Sequence, residues 1–347
     1  MKKRIAVLLA AVMLLALAWS AIAEGNTRVF VDSTGREVVV DQQIDRIAVT
    51  GPLAQITVFA LAPDKLAALA NAWNEGSEDY IAPAYMDLPL LGQLYGGKGQ
   101  MNLEELLRVA PQVVIDVGRP IEGVGEDMDA LTEQTGIPFV HIAANTDAMD
   151  ETYRMLGELL GMEEEAAVLS AYCRETYDRA VALAGRVKKA RILYIPGITG
   201  LTVLARGSYH SEIIDIMGDN IAVMENPSSK GTGNEIDMEQ IMLLNPDAVI
   251  FGERAAYEEA IADPLWQTVS AAQTGRMYLS PFGVHNWMGN PPSVQRLLGM
   301  LWMGKTLYPD EADYDMYEEA ARYYELFYHC TLTQEMYDSL VKDSLGR

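Results

Sequence analysis

Apolar positions follow two rhythms along this chain. Residues 47–49, 113–117, 139–142, 191–195, 248–251 and 277–279 are short, nearly unbroken apolar runs, the mark of strands buried on both faces. Another strand is expected over 66–70. Between these runs apolar residues recur at helical spacing over 53–61, 103–109, 128–135, 213–217, 238–244 and 265–270, and closing helices are expected over 294–307 and 314–328. Strand and helix alternate, which predicts an α/β fold with mostly parallel sheets. Ahead of them, Arg28-Val29-Phe30-Val31-Asp32 and Arg36-Glu37-Val38-Val39-Val40 flank Ser33-Thr34-Gly35 and read as a hairpin.

The alternation stops once. From 149 to about 187 helix formers carry Tyr153, Leu156, Leu159, Leu160, Val168 and Tyr172 at helical spacing, interrupted by Gly161. This is a helical stretch between two α/β halves. The halves repeat each other: Asn102-Leu103-Glu104-Glu105-Leu106-Leu107-Arg108-Val109-Ala110-Pro111 matches Asp237-Met238-Glu239-Gln240-Ile241-Met242-Leu243-Leu244-Asn245-Pro246 at an offset of 135. A polar N-cap, an acidic first turn, a helix stopped by proline and a buried strand occur in both. The expected division is a leader at 1–23, an N-terminal lobe at 24–149, a connecting helix at 150–187 and a C-terminal lobe at 188–347.

Met1-Lys2-Lys3-Arg4, an uncharged apolar run over 5–19 and Ala21-Ile22-Ala23 form an export signal, with cleavage expected before Glu24. Fifteen apolar residues fall short of the ~20 that span a bilayer. No cysteine stands at the cleavage site to take a lipid anchor, so a soluble periplasmic protein is expected. Loss of Lys2, Lys3 and Arg4 moves the net charge from −23 to −26, which argues against a protein that tracks nucleic-acid phosphates. Cys173 and Cys330 could pair in an oxidising compartment or stay separate thiols, and sequence leaves both open.

Enzymatic and nucleotide-binding motifs find little support. The four histidines, His141, His210, His285 and His329, show no i, i+3 or i, i+4 pairing, so there is no helical zinc motif. Gly207-Ser208-Tyr209-His210 lacks the second glycine of a nucleophile elbow, and Tyr95-Gly96-Gly97-Lys98-Gly99 lacks P-loop spacing. His141 sits in an apolar strand and reads as structural, and His329 as packing or surface. His210 and His285 follow strand ends in polar, glycine-bearing loops, where open α/β sheets bind ligands.

These features together resemble the substrate-binding proteins of ABC importers that serve ferric siderophores, haem, cobalamin and related metal chelates. The resemblance rests on the opening Phe30-Val31-Asp32-Ser33-Thr34-Gly35-Arg36, on Asp45-Arg46-Ile47-Ala48-Val49, on the repeated helix-proline-strand units, and on Arg206-Gly207-Ser208 followed by His210 and Gly218-Asp219-Asn220. It implies two lobes, each a mostly parallel sheet flanked by helices, joined by a single long α-helix with the ligand cleft between them. It implies no intrinsic cofactor and a captured metal chelate, iron foremost, with His210 and His285 completing the metal's coordination and Tyr209 beside them. Arg119 and Arg206 are expected to pair with anionic groups of the ligand, and Trp73 and Trp287 to stack on a flat one. Glu104 and Glu239, opening the repeated helices, would dock a monomeric binding protein on a permease dimer with its ATPase subunits. Two other readings stay open: a compact oxyanion such as molybdate or tungstate held by Arg119 and Arg206, and an exported enzyme.

Overall fold

The structure, a computed structural model, describes residues 26–95 and 100–344. The expected export signal lies outside the described residues. A hairpin of β1 (Thr27–Val31) and β2 (Glu37–Asp41) opens the chain, its turn held by Asp32 Oδ1, which accepts from the backbone N–H groups of Thr34 (2.9 Å) and Arg36 (3.1 Å).

The N-lobe sheet contains β3 (Ile47–Val49), β4 (Val113–Gly118) and β5 (Phe139–Ala143), parallel and in that order. Around it lie α1 (Pro52–Leu61), α2 (Leu103–Val109) and α3 (Val124–Thr135). After α4 (Met149–Leu160) and α5 (Glu163–Arg186) comes the C-lobe sheet, ordered β11-β10-β6-β8 and parallel throughout. It is built from β6 (Arg191–Ile195), β8 (Asp219–Asn220), β10 (Ala248–Phe251) and β11 (Met277–Leu279), while β7 (Thr202–Val203) and β9 (Asn234–Glu235) pair apart from it. Its helices are α6 (Glu212–Met217), α7 (Met238–Leu244), α8 (Arg254–Ala262) and the short α9 (Ser270–Gln273). Then follow α10 (Gln295–Leu307), α11 (Met316–Tyr328) and α12 (Gln334–Val341).

The two sheets follow one plan. β3-β4-β5 corresponds to β6-β10-β11, and the repeated unit supplies the middle strand of each. Asn102 caps α2 by accepting from Glu105 N at 3.0 Å, and Asp237 caps α7 by accepting from Gln240 N at 2.7 Å. Both helices end in a left-handed residue before the proline, Ala110 (φ 48°) and Asn245 (φ 43°). At each end an arginine from the neighbouring strand covers the last carbonyls: Arg46 donates to Val109 O, and Arg191 to Leu244 O (2.7 Å) and Asn245 O (3.0 Å). Such caps replace the bonds that a helix terminus cannot make for itself.

Three expectations change. The stretch 150–187 is not one helix: Gly161, left-handed at φ 64°, ends α4, and the chain turns back so that α5 packs along it. A Cβ on Gly157 would stand 2.5 Å from Ala166 Cβ, so the two helices can approach this closely only with glycine there. The single long connector is therefore α5, which begins with three glutamates at the positive end of its dipole and packs on both α1 and α10. Residues 66–70 form no full strand; Leu66 makes one parallel bridge to Ile47, the place that β8 takes beside β6. Residues 265–270 form a 3-10 turn, Trp266–Thr268, since Val269 is extended. Cys173 and Cys330 are both free thiols.

One hydrophobic core runs through both lobes. It joins Ile47, Val49 and Ile115 of the N-lobe to Leu169 and Leu183 of α5, to Ile192 and Ile250 of the C-lobe, and to Tyr323 and Phe327 of α11. Separate clusters cover the other face of each sheet, Val114 and Phe139 in one, Val249 and Phe251 in the other. With α11 packed on α1 across the back, the two sheets are fixed in one body and their strand ends face a common cleft. Among the described residues no helix is long and apolar enough to cross a membrane.

Candidate functional site

The carboxyl ends of the parallel strands form the cleft, where an open α/β sheet leaves its backbone loops free to meet a ligand. On the N-lobe side, residues after β3 (Thr50, Gly51, Pro52, Leu53) and after β4 (Arg119, Ile121, Val124) surround a cavity of 320 Å³. Asp116 lies on its wall and Tyr209 of the C-lobe closes it. On the C-lobe side, Pro196 to Thr199 after β6, Glu253 after β10, His210 and the loop Ser229-Lys230-Gly231-Thr232 line a wider cavity of 1080 Å³. Tyr209 and His210 are thus consecutive residues, one on each cavity, with ring centroids 5.5 Å apart.

Tyr209 is clamped between two guanidinium groups. Arg119 of the N-lobe lies 4.9 Å from the ring centroid and Arg296 of α10 lies 5.0 Å from it, both within cation–π range. Arg296 is 2 % exposed, ion-paired to Glu212 at 3.0 Å and donating to Tyr209 O at 2.9 Å, and Glu212 also accepts from Thr146 Oγ1 at 2.6 Å. Arg119 is exposed and has no ion pair among the described residues. Burial raises the Tyr209 phenol above its ordinary range against the pull of Arg296, so the ring stays a neutral phenol wall. Burial, helped by the charges of Arg296 and Arg119, lowers His210, which keeps this imidazole neutral at pH 7 and its lone pair available. A Cβ on Gly231 would stand 3.2 Å from His210 Cε1, so the loop lies directly against the ring.

The N-lobe cavity has a buried polar wall. Asp116, 5 % exposed, pairs through Oδ2 with His141 Nδ1 at 2.6 Å and accepts through Oδ1 from Thr50 Oγ1. His141 is opposite Asp116 in the β4–β5 register, so sheet pairing alone brings them together. Its Nε2 is buried without a partner. The order Thr50–Asp116–His141 is not a nucleophilic relay, because the hydroxyl bonds the carboxylate and not the imidazole that would have to take its proton.

The structure brings Arg119, Tyr209 and His210 to the cleft and packs the other candidates elsewhere. Arg206 is held on the rim of its own lobe, donating to Asn220 O at 2.6 Å and ion-paired to Asp219. Trp287 is 1 % exposed and lies in the core. Trp73 is a packing wedge edge-on to Phe59 at 5.0 Å, its Nε1 donating to Tyr85 O at 2.9 Å. His285 lines neither cavity; it lies against Trp73, with Nδ1 3.3 Å from Asn74 Nδ2, and burial pulls it down to about 4. Among the described residues no group of three or more His, Cys, Asp or Glu stands close enough to hold a bare metal ion, so a metal bound here would have to bring most of its donors with it. Glu104 and Glu239 are exposed at the starts of α2 and α7, each three residues before an exposed apolar side chain, Leu107 and Met242.

Sequence reasoning missed Asp116, Arg296 and Lys230. Asp116 and Arg296 had a visible signal: Asp116 is the lone charge in the apolar run Val113-Val114-Ile115-Asp116-Val117, and Arg296 opens a mostly apolar helix whose other charge, Lys305, lies in its last turn. Lys230 had none beyond its glycine-rich loop.

A family model for periplasmic binding proteins matches residues 47–282, two thirds of the chain. The chain belongs to that family. The solved structure of an ABC transporter solute binding protein from Sulfurospirillum deleyianum is 25% identical, with a TM-score of 0.82 over 91% of this chain and 99% of that one. A periplasmic solute binding protein from Veillonella parvula is 24% identical, with a TM-score of 0.75 over 91% and 97%. The molybdate periplasmic binding protein MolA of Haemophilus influenzae, solved with molybdate, is 18% identical, with a TM-score of 0.69 over 88% and 99%. No curated protein matches the chain.

Proposed function

We propose that this protein is exported to the periplasm, does no chemistry of its own, and captures a chelated metal ion, iron in the first instance, for an ABC permease dimer with its ATPase subunits. The observation that carries the reading is His210: a half-buried imidazole, kept neutral by burial, on the wall of a 1080 Å³ cavity beside a second of 320 Å³. Sites of some 300–1,000 Å³ suit organic ligands rather than a bare ion, and a neutral imidazole completes the sphere of iron, nickel or cobalt. Arg119 and Lys230 supply positive charge to a chelate's anionic edge. Tyr209, held by its two arginines, is a wall and not a donor. The protein acts as a monomer, and Glu104 and Glu239, each beside an exposed apolar side chain, face the permease.

Native mass spectrometry with metal analysis, on protein purified from the periplasm, tests this. Metal and organic chelator are expected together in wild type and lost in His210→Ala, whereas His285→Ala retains both, because His285 faces Trp73 and Asn74. A metal-free protein carrying molybdate or another oxyanion, unaffected by His210→Ala, would replace the chelate with the compact-oxyanion reading. A ligand recovered chemically changed would replace it with an exported enzyme.

A further inference from the structure

Asp116 is a charge that the fold does not require. At the matching position of the repeated unit, 135 residues later, the C-lobe middle strand carries Phe251, fully buried. The same helix-proline-strand frame therefore closes equally well over an aromatic side chain. A carboxylate in such a strand costs desolvation energy that an ion pair usually offsets. Among the described residues no lysine or arginine comes within ion-pair distance of Asp116; its partners are Thr50 and the Nδ1 of His141. Two hydrogen bonds occupy about half of the acceptor capacity of a carboxylate, and Asp116 borders the 320 Å³ cavity, so the remainder is open to a donor arriving there. Three residues on, Arg119 reaches the same cavity with no carboxylate partner of its own among the described residues. Between these opposite charges the walls are apolar: Pro52, Leu53, Ile121 and Val124.

We propose that the N-lobe cavity is a subsite for the amino-carboxylate part of the bound chelate, with Asp116 accepting from an amine N–H and Arg119 taking the carboxylate. Thr50 and His141 are positioning residues that fix the Asp116 oxygens. The subsite rests on the chelate reading above, and it narrows the chelator to one that presents a hydrogen-donating nitrogen and an acid a few ångströms apart. A catecholate with all its phenols deprotonated on the metal, or a bare oxyanion, offers Asp116 no hydrogen to accept.

Calorimetric titration with nickel(II) and three matched chelators separates the two claims. L-Histidine carries an amine and a carboxylate, histamine the amine alone, and imidazole-4-acetate the carboxylate alone. Wild type is expected to prefer the nickel–histidine complex. Asp116→Asn should weaken binding of the histidine and histamine complexes at least tenfold and leave imidazole-4-acetate unchanged; Arg119→Met should weaken histidine and imidazole-4-acetate and leave histamine unchanged. If Asp116→Asn does not fold, exposed Arg119 still carries the test, together with the wild-type ranking of the three complexes. Nickel binding without discrimination among chelators overturns the subsite and spares the chelate reading. Binding of metal-free L-histidine with the same dependence on Asp116 and Arg119, and no gain from nickel, keeps the subsite and removes the metal. No binding in any arm overturns the subsite, while the chelate reading is still decided by the metal analysis of protein purified from the periplasm.

Discussion

In the N-lobe the middle strand reaches the cleft carrying Asp116, while at the same step of the C-lobe middle strand stands Phe251, packed edge-on against Tyr257 and Trp266. Everything beneath these two residues is built alike: an N-cap on the first turn, a left-handed residue before a proline, an arginine over the last carbonyls, and the same strand order. The shared parts are those that helix ends and buried strands demand, so they tell of stability. The unshared residues at the strand ends tell of the ligand. The two cavity walls differ accordingly, one with a fixed carboxylate and the guanidinium of Arg119 over the Tyr209 ring, the other with a neutral imidazole and the ammonium of Lys230.

The sharpest way to break this contrast is to alter both residues and compare stabilities. Phe251→Ala removes a fully buried ring and leaves a cavity, a loss of about 4 kcal/mol. Asp116→Asn preserves shape and most hydrogen bonding and should change stability by about 1 kcal/mol or less. Urea unfolding gives both values. Should Asp116→Asn cost as much as Phe251→Ala, Asp116 would be as structural as its counterpart, and the contrast between frame and site would fail.

The two loop histidines sharpen the comparison from another side. Burial lowers both, but His285, packed behind the cleft, is pulled down to about 4, while His210 on the cleft wall keeps part of its solvent. An unfolded histidine titrates near 6.5, so between about 6.5 and 4 the unfolded chain holds the extra proton and stability rises with pH. His285 therefore contributes nothing adverse above pH 7 and costs about 3 kcal/mol once pH has fallen to 4. The difference in unfolding free energy between wild type and His285→Gln, followed from pH 7 to 4, isolates this group from the many carboxylates. Parallel curves would mean that His285 is hydrated, and with it the polar cleft would extend behind Trp73.

What could be seen in the sequence divides along the same line. Residues 103–109, 191–195, 238–244 and 248–251 are helices and strands as expected, since an N-cap, a stopping proline or an apolar run acts locally. The 150–187 stretch misled because helical spacing continues through Gly161, and only the close approach of Gly157 to Ala166 shows that the chain folds back. For the site, a loop after a strand end pointed to Tyr209 and His210, which line the two cavities, but equally to His285 and Trp287, which the 281–294 loop turns inward. Whether a loop residue faces the cleft or the core depends on packing from distant helices such as α10, whose Gly299 lies against the Trp287 backbone. Asp116 and His141 become a pair only through strand register, though each was already an oddity in its run.

The smallest effect tests how far the two frames are equivalent. Asp237 and Gln240 form a reciprocal box: Asp237 accepts from Gln240 N at 2.7 Å, and the Gln240 side chain accepts from Asp237 N at 2.9 Å. Asn102 accepts from Glu105 N alone, because Glu105 turns to Arg108, whose Nε donates to it at 2.8 Å. Asp237 also places a full negative charge at the positive end of its helix dipole, where Asn102 places none. Replacing a capping side chain by alanine typically costs between 0.5 and 2 kcal/mol. Asp237→Ala should therefore lie near the upper end, about 2 kcal/mol, and Asn102→Ala nearer 1 kcal/mol, measured by urea unfolding at low ionic strength. Added salt should narrow the gap, since it screens the charge and leaves the hydrogen bonds. A gap that salt leaves untouched would assign the whole difference to the hydrogen bonds from Gln240 N and Glu105 N, 2.7 and 3.0 Å long, and the two helices that present Glu104 and Glu239 would then differ in capping geometry alone.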